Sequence, residues 1–208
     1  IRDRSTTGKL LEHLFETHPA FKELEKLGPD VFENIEQQIQ IIEEKEGSIH
    51  YLTKNMFLYG DLSGNRTPYA DGDMRGVFIG ESTDNSLRDL LLRYICILEF
   101  LALQTRQILS MLTKHHINKI IISGSQAKNL RFVKLLAKVT KLPVEVSDTD
   151  PRFSGVKGAA YLGLSGYKNI PLTDVIGSLN EEGTLYSPEL SDERLLRMLD
   201  VKYKLMID

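Results

Sequence analysis

The sequence has one cysteine and five histidines, and none of them suggests a metal site or a disulfide framework. Cys96 lies within an apolar segment, so we expect a buried structural thiol and a reducing compartment, which we take to be the cytoplasm. The histidines show no H-x-x-x-H spacing, and no C-x-x-C is present. The sequence therefore assigns no metal ligand, and five scattered histidines support no Ser-His-Asp triad.

Long hydrophobic runs and an excess of positive charge are also missing. The most apolar window, Leu90–Leu103, is interrupted by Arg93 and Glu99 and is shorter than the ~20 residues that span a bilayer. The polar start "IRDRSTTGK" has no apolar core typical of a signal peptide. The net charge of −3 argues against a protein that binds nucleic acid through its overall electrostatic field. We therefore expect neither a membrane nor a nucleic acid as a partner.

The chain does contain enough apolar residues for a core, and their pattern predicts an α/β fold. Hydrophobic residues make up 41% of the 208 residues. Helical periodicity predicts helices at 7–17, 29–46, 83–114, 127–140, 154–164 and from about 192 onward. Short β-prone segments lie in "MFLYGDL", "GVFIGE", 119–122 and 143–146. Alternating strands and helices over the second half indicate a sheet that is at least partly parallel. The start without methionine and the end within a predicted helix suggest a piece of a longer protein.

The segment "IIISGSQAKNLRF" places a glycine between a strand and a helix. A strand that ends at Ser123-Gly124-Ser125 and continues into a helix near Ala127 directs backbone N–H groups toward an anion or a polar nucleotide edge. Gly124 has no Cβ to obstruct that approach, and ligands of open α/β sheets bind beyond the carboxyl ends of strands. The segment is neither a P-loop nor G-x-G-x-x-G. A purely structural corner therefore stays open as the alternative.

A second unusual segment is the long loop "YGDLSGNRTPYADGDMRG". Long irregular loops in compact domains are often functional. Asp61, Asp71 and Asp73 lack the register of a calcium loop. Arg66, between Asn65 and Thr67-Pro68, is a planar cation in a rigid frame, which suits a phosphate or carboxylate. A solvated, turn-rich loop is the alternative.

A third segment, "GVKGAAYLGLSG", has small residues every three or four positions. This spacing predicts a helix that packs closely against a neighbouring backbone.

Together, these segments resemble the carboxyl-terminal half of an FGGY-family carbohydrate kinase. "GDLSGNRTPYADGDMRGVFIGES" is similar to that family's Gly-Asn-Arg, Ser or Thr, Pro pattern with a following Arg-Gly. "IIISGSQAKNLRFVKLLAKVTKLPVEV" resembles its adenosine-binding segment, and "GVKGAAYLGLSG" its Gly-Ala-Ala helix. "STTGKLLEHL" resembles a Ser-x-Thr-Gly segment that precedes an insertion in ribulose- and ribitol-type members.

The resemblance implies a ribonuclease H-like domain of the actin, hexokinase and sugar kinase type, with a mixed sheet flanked by helices. Residues 1–208 would be the carboxyl-terminal domain, with a partial segment and helical insertion over 1–50, a core over 51–166 and a helical tail over 167–208. An amino-terminal sugar-binding domain would lie outside this chain. The expected ligands are ATP with Mg2+ and a small sugar or polyol, and assembly as a homo-oligomer stays open.

The resemblance also implies two sets of site residues and a reaction. It assigns nucleotide contacts to Thr7, Ser123, Gly124, Ser125, Lys128 and Asn129. It places Asp61, Asn65 and Arg66 in a loop beside the cleft between the domains. In such kinases an aspartate takes the proton of the sugar hydroxyl that attacks the γ-phosphate. That base would lie upstream of residue 1, so no catalytic residue is assigned here.

Two functions follow as alternatives. The first is an ATP-dependent pentulose or polyol kinase, of which this chain forms the adenosine side; alone, the chain would turn over no sugar. The second is a truncated, non-catalytic nucleotide-binding or regulatory module. An unrelated dinucleotide-binding domain is disfavoured because its glycine fingerprint is missing.

Overall fold

A computed structural model describes residues 6–112, 116–147, 150, 153–178 and 183–208. The described residues form two compact units. Unit 1 comprises the first 113 residues and Asp192–Asp208, and unit 2 comprises Lys114–Ser191. In chain order the elements are α1 (Thr6–Thr17), α2 (Phe21–Glu25), α3 (Val31–Glu46), a 3-10 turn (Ile49–Tyr51), β1 (Phe57–Tyr59), β2 (Val77–Ile79), α4 (Leu87–Leu112), β3 (Ile120–Ile122), a second 3-10 turn (Ser125–Lys128), α5 (Leu130–Thr140), β4 (Val144–Ser147), α6 (Ser154–Lys168), α7 (Leu172–Gly177), β5 (Gly183–Tyr186) and α8 (Glu193–Ile207).

Helix α4 forms the centre of unit 1, as its apolar sequence predicts. It contacts α1, α2, α3, α8 and strand β1. Because neighbours surround it, apolar side chains are buried on every side of the helix rather than along one stripe. Those that are fully or almost fully covered include Leu90, Leu91, Tyr94, Ile95, Leu98, Phe100, Ala102 and Leu103. Cys96 is buried among them, so the prediction of a structural thiol is confirmed.

Helix α3 ends at Glu46 as predicted, and it begins at Val31, two positions after the predicted start at residue 29. The Asp30 carboxylate accepts hydrogen bonds from the backbone N–H groups of Phe32 and Glu33, at 2.9 and 3.1 Å, and so caps the first turn. At the other end Gly47 has φ +79°, which a side chain would oppose. Ile35 and Ile39, four positions apart on one face of the helix, are completely buried.

Unit 2 contains a three-stranded mixed sheet in the order β3-β4-β5. β3 and β4 are parallel, with Ile120 opposite Val144. β4 and β5 are antiparallel, with Val144 opposite Tyr186. The partly parallel sheet is therefore confirmed. Helix α5 contacts both β4 and β5. It buries one apolar face that includes Phe132, Val133, Leu136 and Val139.

The close packing predicted for the glycine-rich helix is wrong within the described residues. α6 has no buried residue. A Cβ placed at Gly155, Gly158, Gly163 or Gly166 would meet no atom within 4 Å. The small side chains therefore leave an open surface instead of admitting a neighbouring backbone.

None of the helices in the described ranges combines the length and the hydropathy required to cross a membrane.

Candidate functional site

The strand-to-helix corner in unit 2 depends on the backbone conformation of Gly124. Its φ and ψ are +82° and −171°, a region that only glycine occupies without strain. An added Cβ would meet no atom within 4 Å. Glycine is therefore required here by the backbone conformation, and the space in front of it is open to a ligand.

The backbone after Gly124 turns tightly before α5 begins. The N–H of Ala127 donates to the carbonyl oxygen of Gly124 at 3.2 Å, and that of Asn129 donates to Gln126 at 3.1 Å. The Asn129 side chain then accepts a hydrogen bond from the N–H of Phe132 at 3.1 Å. The single helix predicted over 127–140 is consequently divided into a 3-10 turn and α5, because Asn129 is the N-cap of a new helix.

Three polar residues of this corner are exposed, whereas Gln126 and Asn129 are partly buried. Ser123, Ser125 and Lys128 are exposed, and the Lys128 ammonium donates to the Asp150 carboxylate at 3.1 Å. The amide oxygen of Gln126 is buried and has no hydrogen-bond partner among the described residues. Thr7, the remaining predicted nucleotide contact, lies in the first turn of α1, and its side chain falls outside the described residues.

In unit 1 the loop between β1 and β2 is organised around Asp61. Only 2% of this residue is exposed. Its carboxylate accepts a hydrogen bond from the amide nitrogen of Asn65 at 2.6 Å. A second amide, from Gln104 of α4, lies 3.2 and 3.3 Å from the two carboxylate oxygens. Burial, together with the hydrogen bond and charge of Asp61, raises the pKa of the Tyr59 hydroxyl. Tyr59 therefore stays protonated and donates to the carboxylate.

Asn65 connects the start of this loop to its far side. Its side-chain oxygen accepts from the backbone N–H of Tyr69 at 2.9 Å. Its own N–H donates to the carbonyl oxygen of Asp71 at 2.7 Å. The structure therefore brings the predicted residues Asp61 and Asn65 into direct contact, and both are buried. Arg66 follows them in the chain and has an exposed side chain.

Sequence patterns gave no signal for two glutamines that face this loop. Gln104 binds Asp61, and Gln107 donates to the Tyr69 hydroxyl at 2.7 Å. Gln107 is 1% exposed, and its amide oxygen has no partner in the described part of the chain. Both lie on α4 three positions apart, so they share one face of the helix. Their partners lie 38 to 43 positions away along the chain, so no short-range pattern could have identified them.

A second polar cluster in unit 1 is buried around Glu99. Its carboxylate contacts the His50 ring at 2.8 Å, the Thr53 hydroxyl at 2.9 Å and the Lys202 ammonium at 2.5 Å. Lys202 also donates to the Thr53 hydroxyl at 3.0 Å. Burial by itself would raise the pKa of Glu99, but the hydrogen bond from His50 and the charge of Lys202 lower it below the ordinary value. The cluster thus ties α8 to α4 through an ion pair.

Solved structures of sugar kinases share this fold. Glycerol kinase from Plasmodium falciparum, solved with ADP, superposes with a TM-score of 0.65 over 98% of this chain and 37% of that chain, at 20% identity. A kinase from Brucella ovis described as a xylulose-type kinase superposes with a TM-score of 0.62 over 81% of this chain and 36% of that one, at 21% identity. The expected sugar kinase fold is confirmed.

The sequence comparison identifies the family. The model of the FGGY family of carbohydrate kinases, C-terminal domain, matches residues 4–167. The chain belongs to the FGGY family of carbohydrate kinases. It is 42% identical over 99% of its length to Protein MPA43 of Saccharomyces cerevisiae. It is 38% identical over 95% of its length to D-ribulokinase YDR109C of the same yeast. The chain spans 40% and 28%, respectively, of those two relatives.

Proposed function

We propose that the intact protein transfers the γ-phosphate of MgATP to a hydroxyl group of a pentulose or polyol. In this proposal the chain supplies the adenosine side of the site. Family membership supports the reaction type, and the 38% identical relative named D-ribulokinase favours a substrate of the D-ribulose or ribitol kind. The observation that carries the proposal is the corner at Gly124, which has a glycine-only conformation and open space in front of it.

The residues of the corner have distinct proposed roles. Gly124, with Ser123 and Ser125, would leave room for the nucleoside to lie against the main chain. Lys128 and Asn129 would border it. The fit is favourable because a bound group here would displace no protein atom within 4 Å of the missing Cβ position. Mg2+ would arrive with ATP and neutralise phosphate charge, and we assign it no ligand in this chain.

We assign no catalytic base to this chain. Asp61 is the buried aspartate of the loop, and its oxygens already accept hydrogen bonds from Asn65 and Gln104. A general base needs an accessible oxygen within hydrogen-bond reach of the hydroxyl that it deprotonates. In the proposal Asp61 therefore organises the loop. The base comes from the part of the longer protein that the family resemblance places outside these 208 residues.

A substrate panel tests the proposal directly. The full-length protein is incubated with MgATP and D-ribulose, ribitol, D-xylulose or glycerol, and ADP release is followed with a coupled assay. We expect turnover with D-ribulose or ribitol at a higher kcat/KM than with glycerol. ATP binding without turnover of any sugar or polyol would favour the non-catalytic module. Failure to bind ATP would overturn both.

A pair of glycine substitutions separates nucleotide binding from backbone strain. Gly47 has φ and ψ of +79° and −165°, nearly the values of Gly124, and its added Cβ also meets no atom within 4 Å. Gly124→Ala and Gly47→Ala should each cost about 1–3 kcal/mol of stability, because both enter a region that only glycine occupies easily. Only Gly124→Ala should weaken ATP binding by calorimetry, by roughly tenfold or more. Equal affinity in the two variants would refute the nucleotide role of the corner.

A further inference from the structure

The loop that carries Arg66 is fastened to α4 at two points. Gln104 binds Asp61 at the start of the loop, and Gln107 binds the Tyr69 hydroxyl further along. Asn65 lies between them and bonds to both Asp61 and Tyr69. Arg66 is thus bracketed on both sides by anchored residues.

The backbone within the loop is also closely packed. Gly64 has φ +90°, and a Cβ there would lie 2.8 Å from the Cα of Gly72, so the two parts of the loop cross in close contact. Asn65 and Asp71, each adjacent to one of these glycines, form an isolated antiparallel β-bridge. Polar groups that are buried and mutually hydrogen-bonded favour one conformation of the segment that they hold. The loop between β1 and β2 is therefore a rigid platform. Within it Asn65 is buried, whereas Arg66 is exposed.

We propose that Gln104 and Gln107 are positioning residues of the kinase reaction, acting through Arg66. Their amides hold the loop so that the Arg66 guanidinium meets the phosphoryl group in transfer. A planar guanidinium recognises such oxygens in a defined orientation. A misplacement of about 1 Å can lower a rate by up to 10²-fold. This inference rests on the proposed function.

Protease susceptibility tests the platform without any activity assay. Trypsin cleaves after arginine, so early cleavage of the Arg66–Thr67 bond, followed by mass spectrometry, reports local opening of the loop. Gln104→Met and Gln107→Met preserve side-chain length and remove the amides. Both should raise the cleavage rate at this bond severalfold. Gln40→Met is the matched control, because the Gln40 side chain is exposed on α3 and donates a hydrogen bond to Glu44 at 3.4 Å.

Global stability separates positioning from general damage. Gln107→Met removes the hydrogen bond to Tyr69 but also deletes the buried amide oxygen that lacks a partner, so the urea midpoint should change little. Increased cleavage at Arg66 with an unchanged midpoint is the expected combination. Cleavage at the wild-type rate in both Gln104→Met and Gln107→Met would overturn the inference.

A double-mutant cycle in the full-length enzyme tests the link to Arg66. Arg66→Ala should lower kcat/KM by roughly 10- to 100-fold, and Gln104→Met by about tenfold. If Gln104 acts through Arg66, the double variant should be no worse than Arg66→Ala alone. Multiplicative losses would mean that the residues act separately, and would overturn the inference.

The outcomes distinguish this inference from the proposed function. Arg66→Ala with wild-type kcat/KM would overturn the positioning role and leave the kinase assignment intact. A wild-type protein that phosphorylates no sugar or polyol would refute the proposed function and with it the catalytic role of the platform. In that case the cleavage rates would still decide whether the two glutamines hold the loop.

Discussion

Replacing Lys202 with methionine would leave the carboxylate of Glu99 buried without its cation. The side chains of both residues are at least 94% covered in the folded chain, with 6% and 3% exposed. Methionine can fill the volume of the lysine stem, so the substitution removes charge and hydrogen bonds more than packing. His50 and Thr53 would remain as neighbours of Glu99.

The size of the destabilisation depends on whether Glu99 can take up a proton after the cation is lost. A buried ion pair that loses one partner typically costs 3–5 kcal/mol. Glu99 can limit the loss by taking up a proton. From its ordinary pKa of 4.5, protonation costs about 3.4 kcal/mol at pH 7 and about 0.7 kcal/mol at pH 5, at 1.36 kcal/mol per unit. We therefore expect a loss of roughly 3 kcal/mol at pH 7 and a clearly smaller one at pH 5.

In the wild-type chain the contribution of Glu99 to stability should depend on pH in the opposite direction. Because the folded state lowers the pKa of Glu99, its charged form stabilises the fold above pH 4.5. This contribution is lost as the pH falls through the lowered value. In Lys202→Met, burial is no longer opposed by the lysine charge, so the folded-state pKa of Glu99 rises and acid relieves the destabilisation.

Two measurements check this prediction. Urea unfolding at pH 7 and pH 5, followed by far-UV circular dichroism, gives the change in stability; the chain has no tryptophan to report by fluorescence. Hydrogen exchange of the peptide that covers Glu193–Ile207 shows whether α8 detaches first. The double variant Glu99→Leu with Lys202→Met should recover most of the loss, because a hydrophobic pair removes the uncompensated charge. A loss below about 1 kcal/mol at pH 7, or an equal loss at both pH values, would refute the reasoning.

Further predictions concern other parts of unit 1 and the start of α5. Asp89 is buried against His18 and Arg93, so Asp89→Ala should cost about 3 kcal/mol in urea unfolding; Arg88→Ala, one position earlier in an exposed pair with Glu46, should cost less than about 1 kcal/mol. Burial raises the pKa of the Cys96 thiol, as does the charge of Glu99, so a thiol reagent at pH 8 should modify the chain only after denaturation. Modification of the native chain would contradict this. Asn129→Ala removes the N-cap of α5 and should lower the thermal midpoint through a loss of about 1 kcal/mol; an unchanged midpoint would show that the cap is dispensable.

Local signals in the sequence predicted most elements of the fold. The Asp30 cap and Gly47 fix the ends of α3, and the largely apolar segment 90–103 predicts the central position of α4. Strand β5 and the short helices α2 and α7 were not predicted. β5 spans only "GTLY", with no alternating apolar pattern, so its place in the sheet depends on pairing with β4 rather than on its own residues.

The candidate site was predictable in its residues but not in their environment. The motifs locate Gly124, Asp61, Asn65 and Arg66 in the chain. They do not reveal that Asp61 and Asn65 are buried while Arg66 is exposed. That difference depends on Gln104, which is 43 positions from Asp61. The Glu99 cluster likewise depends on a lysine 103 positions away. Contacts at such separations leave no short-range pattern.

The position of α8 determines the order in which the two units are completed during synthesis. Unit 2 lies between the two parts of unit 1 along the polypeptide, so the ribosome finishes it before α8 exists. Until Lys202 emerges, Glu99 has no cation, and the centre of unit 1 has an acidic group exposed or protonated. A chain interrupted before Lys202 would therefore leave unit 1 unfinished, whereas unit 2 would already be complete.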